Sequence, residues 1–216
     1  MYPDPLDDAA LAAAWDAAWS TFGRKAPAGL RAELMAAWSE PNRHYRDQRH
    51  LRECLALWAR WRAHGQRPGE VAIALWFHDA RCDPRSNRNE LSSAAWAARS
   101  VVQAGADSNA AQRIYDLIVA TEPGASAAFC AGQDARLLLD IDLAILGSPA
   151  ERFEQYDQDV RKEYAWMPGF CFRIGRARAL QGFLDRPRIY RSDAPAAQLE
   201  AQARLNLAVA LSRRAQ

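Results

Sequence analysis

Apolar residues recur at intervals of three and four along most of the chain, the pattern of amphipathic helices. In the first such segment Leu11, Trp15, Trp19 and Phe22 keep this spacing and Gly23 follows them as a stop signal. Further helices are predicted on the same grounds near residues 27–38, 48–64, 68–80, 90–104, 110–122, 132–146, 150–165, 169–184 and 195–213. No segment of useful length alternates apolar and polar residues as a half-buried strand does.

The pattern predicts an all-α protein. The chain is rich in alanine and poor in β-branched residues, which also favours helices. It has 216 residues, without an internal repeat, a low-complexity linker or a convincing domain boundary. We therefore predict one domain over residues 1–216 with nine to ten helices, in which helices of residues 6–38 pack on a core formed by residues of about 38–210.

Bulk charge excludes some classes of function. Lys and Arg number 28 against 26 for Asp and Glu, and the net charge of +2 indicates neither a nucleic-acid-binding protein nor one bound to an anionic membrane.

The four cysteines are far apart, which is typical of reduced thiols rather than of a disulfide framework. The N-terminal segment is acidic where a signal peptide is basic, and the longest strongly apolar run, residues 71–77, is too short for a membrane span. A cytoplasmic protein is predicted.

The pair His78-Asp79 lies at the end of the most apolar predicted helix, where an ionised carboxylate is costly unless a positive charge lies beside it. A metal ion supplies such a charge. His50 belongs to the preceding helix, which one short connection joins to the helix of His78, so the two helices can pack antiparallel and bring the imidazoles together. Asp140 and Asp142 interrupt another almost wholly apolar helix, and either could supply a further ligand.

With these residues in order, the chain resembles the HD superfamily of metal-dependent phosphohydrolases, which is named after its central His-Asp pair. The resemblance extends over positions 38 to 210, to a family of predicted HD-domain phosphohydrolases of about 200 residues. The segments that carry it are PNRHYRDQRHL (41–51), ALWFHDARCDP (74–84), NELSSA (89–94), LLDIDLAILG (138–147), RKEYAW (161–166) and RIGRARALQGFLDRPRIY (173–190). The resemblance implies an HD-domain-like helical bundle.

The resemblance assigns His50, His78, Asp79 and Asp142 as metal ligands and leaves Asp140 a supporting or capping group. Two imidazoles and two carboxylates suit Mn²⁺, Fe²⁺, Co²⁺, Ni²⁺ or Zn²⁺ better than Mg²⁺. Members of the superfamily with two metals add histidines after the His-Asp pair, and none follows His78 here. One divalent metal ion per chain is therefore expected. The ion would activate water for attack on phosphorus.

Proton transfer is assigned to Asp83 or Glu90, between which the sequence does not choose, and each could instead be an ordinary loop or helix acid. Residues proposed to contact the substrate lie in the matching segments: Arg43, His44, Tyr45, Arg46, Arg161 and Arg176. His44 is equally well explained as a structural histidine. Position 46 carries arginine where relatives tend to have histidine, so a contact with the substrate should differ here.

The predicted activity is hydrolysis of a phosphoester or phosphoanhydride in a small phosphorylated metabolite, one that resembles a nucleotide. No nucleic acid or membrane partner is expected, and a homodimer is compatible with the sequence. Two alternatives remain: a non-catalytic module that senses a metal or a nucleotide, and a helical scaffold that keeps a vestigial site.

Overall fold

The computed structural model describes residues 2–215, so Met1 and Gln216 of the predicted domain lie outside it. Within this range the chain forms ten α-helices and two 3₁₀ turns and has no strand, which confirms the predicted all-α class with nine to ten helices. The helices are α1 (Asp8–Phe22), α2 (Leu30–Ala37), α3 (Gln48–Trp61), α4 (Pro68–Phe77), α5 (Asn89–Gln103), α6 (Ser108–Val119), α7 (Gln133–Asp142), α8 (Ala150–Glu163), α9 (Gly169–Leu184) and α10 (Asp193–Ala215). The 3₁₀ turns, Arg62–His64 and Leu143–Gly147, directly follow α3 and α7.

Helix α4 lies at the centre of the molecule. Every residue from Gly69 to Phe77 is buried, as its continuous apolar sequence predicts. Gly69 is required for this packing, because a Cβ atom there would lie 2.5 Å from the backbone nitrogen of Phe22 in α1. The Trp15 ring of α1 meets the Trp76 ring of α4 edge to face, with centroids 4.9 Å apart. The N-terminal helix is thus part of the same core as α4.

Helix α10 closes the opposite side of the core against the 3₁₀ turn that follows α7. A Cβ atom at Gly147 would lie 2.6 Å from the Cβ atom of Leu199, so only glycine allows this approach. Nδ2 of Asn206 donates hydrogen bonds to the carbonyl oxygens of Leu146 and Ser148. These contacts hold the C-terminal end of α7, which carries Asp142, in a fixed position.

No helix among the described residues combines the length and the apolar character that crossing a membrane requires. All four cysteines are free thiols.

Candidate metal centre and its cavity

Three helix ends bring the predicted metal ligands together. His50 lies in the first turn of α3, where Asp47 caps the helix by accepting the backbone N–H groups of Arg49 and His50. His78 and Asp79 directly follow α4, and Asp142 is the last residue of α7. Helix ends from distant parts of the chain therefore meet at one point.

The donor atoms of these residues lie close to one another. Nε2 of His50 is 3.2 Å from Nε2 of His78 and 3.2 Å from Oδ1 of Asp142. Nε2 of His78 is 3.5 Å from Oδ1 of Asp142 and 3.7 Å from Oδ2 of Asp79. Ligands bound at about 2.1 Å with tetrahedral angles lie roughly 3.4 Å apart, so the spacing fits a single ion.

The His78 ring directs its Nε2 atom toward the cluster. Its Nδ1 lies 2.8 Å from the carbonyl oxygen of Leu75, and because a carbonyl only accepts, Nδ1 carries the proton and donates. In the neutral ring the lone pair is therefore on Nε2, which faces the cluster. Burial lowers the pKa of His78, but the carboxylates of Asp79 and Asp142 raise it more, to about 9.

Asp142, rather than Asp140, faces the two imidazoles. Burial raises the pKa of Asp142, but hydrogen bonds with His50 and His78 lower it further, so the net shift is downward. The two oxygens of Asp140 instead accept the backbone N–H groups of Arg191 and Ser192, just before α10. Asp140 therefore holds the backbone before α10, and the assignment of Asp142 as a ligand stays a prediction.

Cys54 is a neighbour of the cluster that was not among the predicted site residues. Its Sγ lies 3.7 Å from both ring nitrogens of His50, one helical turn earlier on α3, and it groups with His50 and His78 as a potential metal ligand. The four-residue spacing from His50 was the available signal. Burial and the nearby carboxylates of Asp142 and Glu53 raise the pKa of Cys54, so the thiol retains its proton and is a weaker ligand than the imidazoles.

Glu163, which the sequence analysis also missed, organises the loop before α3. Its side chain is fully buried, and Oε1 accepts the backbone N–H groups of His44, Tyr45 and Arg46. Its Oε2 accepts from the Arg46 guanidinium at 2.9 Å. An acid at the end of a helix in the segment RKEYAW was the only hint in the sequence.

A cavity of about 470 Å³ opens beside the cluster. Of the residues predicted to act in metal binding, proton transfer or substrate contact, those that line it are Tyr45, Arg46, Asp79, Glu90, Asp142 and Arg176. Burial raises the pKa of Glu90, and the nearby Asp79 also raises it. Asp83 does not line the cavity; it is exposed and turns back to accept the backbone N–H of Arg85. Geometry thus separates the two acids that the sequence left equivalent.

Three of the predicted substrate residues lie elsewhere. The Arg43 guanidinium is buried and donates to the carbonyl oxygens of Arg46, Asp79 and Ala80, so it braces the chain around the cluster. Arg161 donates to the carbonyl oxygen of Tyr164 at the end of α8. His44 is exposed and outside the cavity lining. Each is better explained as a structural or surface residue, because none of these side chains lines the cavity.

Comparisons with models of protein families, with curated proteins and with solved structures found no match to this chain.

Proposed function

We propose that this protein is a phosphohydrolase that uses one divalent metal ion, held by His50, His78, Asp79 and Asp142, to cleave a phosphoester or phosphoanhydride bond. One observation supports the proposal most directly. Neighbouring nitrogen and oxygen atoms of two imidazoles and two carboxylates lie 3.2 to 3.7 Å apart, and the cluster borders a cavity. The resemblance to the HD superfamily supports it. The proposal includes a cytoplasmic location, which the free thiols favour.

When bound, the ion lowers the pKa of water and polarises a phosphoryl oxygen. Glu90 lines the same cavity, and burial raises the pKa of its carboxyl group, which favours a role in proton transfer. Arg46 and Arg176 supply cationic donors that neutralise charge developing on the phosphoryl oxygens. Asp83 has no part in this mechanism, because its side chain closes a turn on the surface.

The expected substrate is a small phosphorylated metabolite with a flat or apolar portion. A cavity of about 470 Å³ falls within the range of pockets for small molecules. Tyr45 and Tyr164 line it and offer aromatic surface to a base or a sugar. The polar side chains of the cavity lie among apolar ones such as Leu143 and Phe172.

Release of phosphate or pyrophosphate from a panel of nucleotides and sugar phosphates, with Mn²⁺, Co²⁺, Ni²⁺, Zn²⁺ or Mg²⁺ added, tests the proposal. We expect metal-dependent turnover by the wild type and none by Asp142→Asn. Asp140→Asn is the matched control on the same helix. It should lose some stability, because Asp140 holds two backbone N–H groups, but it should still bind metal and turn over substrate.

Metal analysis separates the remaining possibilities. We expect about one ion per chain, and about two would contradict the single-metal site. Metal binding without turnover of any phosphorylated compound would favour the sensor module over the enzyme. No binding even after soaking in metal would favour the scaffold with a vestigial site.

A further inference from the structure

Helix α9 runs lengthwise along the cavity. Phe172, Gly175, Arg176, Ala179 and Phe183 line it at spacings of three and four residues, which places them on one face of the helix. With a rise of 1.5 Å per residue, this face extends over about 16 Å. The cavity is therefore long enough along this helix to hold two separate chemical groups of one ligand.

One end of this face adjoins the metal ligands. Arg176 lies over the Tyr156 ring, whose centroid is 4.5 Å from that of Tyr45, and the Tyr45 ring lies 4.7 Å from the ring of His50. Nε of Arg176 donates to Asp157 at 3.0 Å. The Arg176 side chain is only 9% exposed, and its buried Nη2 has no hydrogen-bond partner among the described residues. A buried donor left unpaired at a cavity wall indicates a place for an anionic or carbonyl oxygen.

Two more arginines line the cavity, Arg186, which lies just beyond the C-terminal end of α9, and Arg191. Within residues 2–215 neither guanidinium has a carboxylate at salt-bridge distance. Arg186 lies over the Phe183 ring, 4.6 Å from its centroid, and Arg191 donates to the carbonyl oxygen of Cys130. Both side chains line the same cavity, and the charge of Arg191 adds to burial in lowering the pKa of Arg186.

Among the described residues no carboxylate forms a salt bridge with this pair, although Glu122 lines the same cavity. Burial raises the pKa of Asp140, and the charge of Arg191 partly offsets this by lowering it. The carboxylate of Asp140 faces the same segment, but both its oxygens accept backbone N–H groups, those of Arg191 and Ser192. Residues two apart on a helix point about 200° away from each other, so Asp140 and Asp142 lie on opposite sides of α7. The backbone segment that carries Arg191 and the metal ligands thus contact different sides of this helix end, and Asp140 and Asp142 both border the cavity.

The wall between the two ends is largely apolar. Leu139, Leu143, Ile145, Ala179 and Phe183 contribute to it. An apolar stretch between two cationic regions suits a ligand with anionic groups at both ends and a less polar middle. Two guanidinium groups without a salt bridge match a phosphate, which carries a charge of about −1.5 to −2, better than a single carboxylate.

We propose that Arg186 and Arg191 form a second anion-binding site, which holds a phosphate group of the same ligand whose other phosphate lies at the metal centre. This inference rests on the proposed function, since it extends the substrate class to molecules with two phosphate groups separated by an apolar portion. Arg176 contacts the phosphate at the metal end.

Binding of compounds that cannot be hydrolysed tests this site without relying on turnover. The probes are a series of α,ω-alkane bisphosphonates and the alkyl monophosphonates of the same lengths, titrated calorimetrically into the Mn²⁺-treated protein. We expect one chain length at which the bisphosphonate binds at least about tenfold more tightly than the monophosphonate. Equal affinity at every length would overturn the proposal.

Three variants locate the second phosphate. Arg186→Gln should remove the advantage of the bisphosphonate, whereas Arg178→Gln, an exposed arginine of the same helix outside the cavity lining, should preserve it. Ala179→Trp should weaken the bisphosphonate because the ring fills the middle of the cavity. This position is exposed, so the variant should fold. An unchanged advantage in Arg186→Gln would contradict the assignment.

Different results would contradict the proposed hydrolase activity and the proposed second anion-binding site. A bisphosphonate advantage that depends on Arg186, found together with no hydrolysis of any phosphate compound, would contradict the hydrolase and support the second site. Metal-dependent hydrolysis without that advantage would support the hydrolase and overturn the second site.

Discussion

Nε of Arg46 lies 3.2 Å from Oδ2 of Asp79, so a fixed cation contacts one of the four carboxylate and imidazole groups that we assign as metal ligands. The same guanidinium donates to the buried Glu163, which holds its direction. The resemblance to the HD superfamily predicts histidine at this position. The arrangement places a donor for a phosphate group beside the proposed metal site. The positive charge of the same guanidinium would repel a bound metal ion.

Replacing Arg46 should strengthen metal binding. In Arg46→Gln the repulsion between the guanidinium and the ion is removed, and Mn²⁺ affinity should rise about tenfold, since the guanidinium is about one-third exposed and partly screened. Turnover should fall, because a donor to the phosphoryl group is lost. Calorimetric titration with Mn²⁺ and steady-state kinetics check the two effects. Arg178→Gln is the control, and metal affinity that is unchanged or weaker in Arg46→Gln would contradict the assignment of Asp79 as a ligand.

Metal binding should release a proton from His78. Because its pKa in the metal-free fold is raised from 6.5 to about 9, protonation stabilises that fold fully below pH 6.5, and this contribution is lost as the pH rises through 9. The ion competes with the proton on Nε2. Apparent metal affinity should therefore rise about tenfold per pH unit between pH 7 and 9.

Calorimetry in buffers with different ionisation enthalpies measures this release directly. About one proton per ion is expected at pH 7 from His78. A metal affinity that does not change between pH 7 and 9 would show that His78 is not a ligand, or that it binds metal without losing a proton.

Glu90 and Asp83 should differ in their effect on catalysis. Glu90→Gln removes the ionisable group at the cavity wall and should lower kcat by about two to four orders of magnitude, with metal affinity little changed. Asp83→Asn keeps an oxygen that can accept the N–H of Arg85 and should leave kcat near the wild-type value. The two variants form a matched pair for steady-state kinetics. A large loss in Asp83→Asn with none in Glu90→Gln would reverse the assignment.

Glu163 should contribute to stability more than any surface acid of α8. Glu163→Ala leaves three backbone N–H groups and the Arg46 guanidinium without their acceptor, and the free energy of unfolding should fall by about 3 kcal/mol. Glu154→Ala, which removes only an exposed ion pair with Arg213, should cost less than about 1 kcal/mol. Urea unfolding of both variants measures the difference, and equal losses would contradict the role of Glu163.

The order and approximate limits of the helices were predictable because local signals set them. Asp7 caps α1 and Pro68 opens α4 where the sequence places a start signal, and the apolar run of α4 predicts its central burial. Residue chemistry also indicated His78, Asp79 and the acids of α7, because buried acids in apolar helices need charged partners. The choice of Asp142 over Asp140 came from the resemblance to the HD superfamily. The helix limits depend on residue type and on spacing within one helix.

Only the tertiary structure distinguished residues of the same type. Arg43 and Arg176 both carry a guanidinium group. That of Arg43 donates to the carbonyl oxygens of Asp79 and Ala80, whereas Arg176 lines the cavity. Glu90 and Asp83 also differ through their position rather than their chemistry. Sequence alone determined which helices form and indicated His50, His78, Asp79 and Asp142 as candidate metal ligands. The packing of α3, α4, α7, α8 and α9 decided which side chains meet, because a direction in space depends on contacts between residues far apart in the chain.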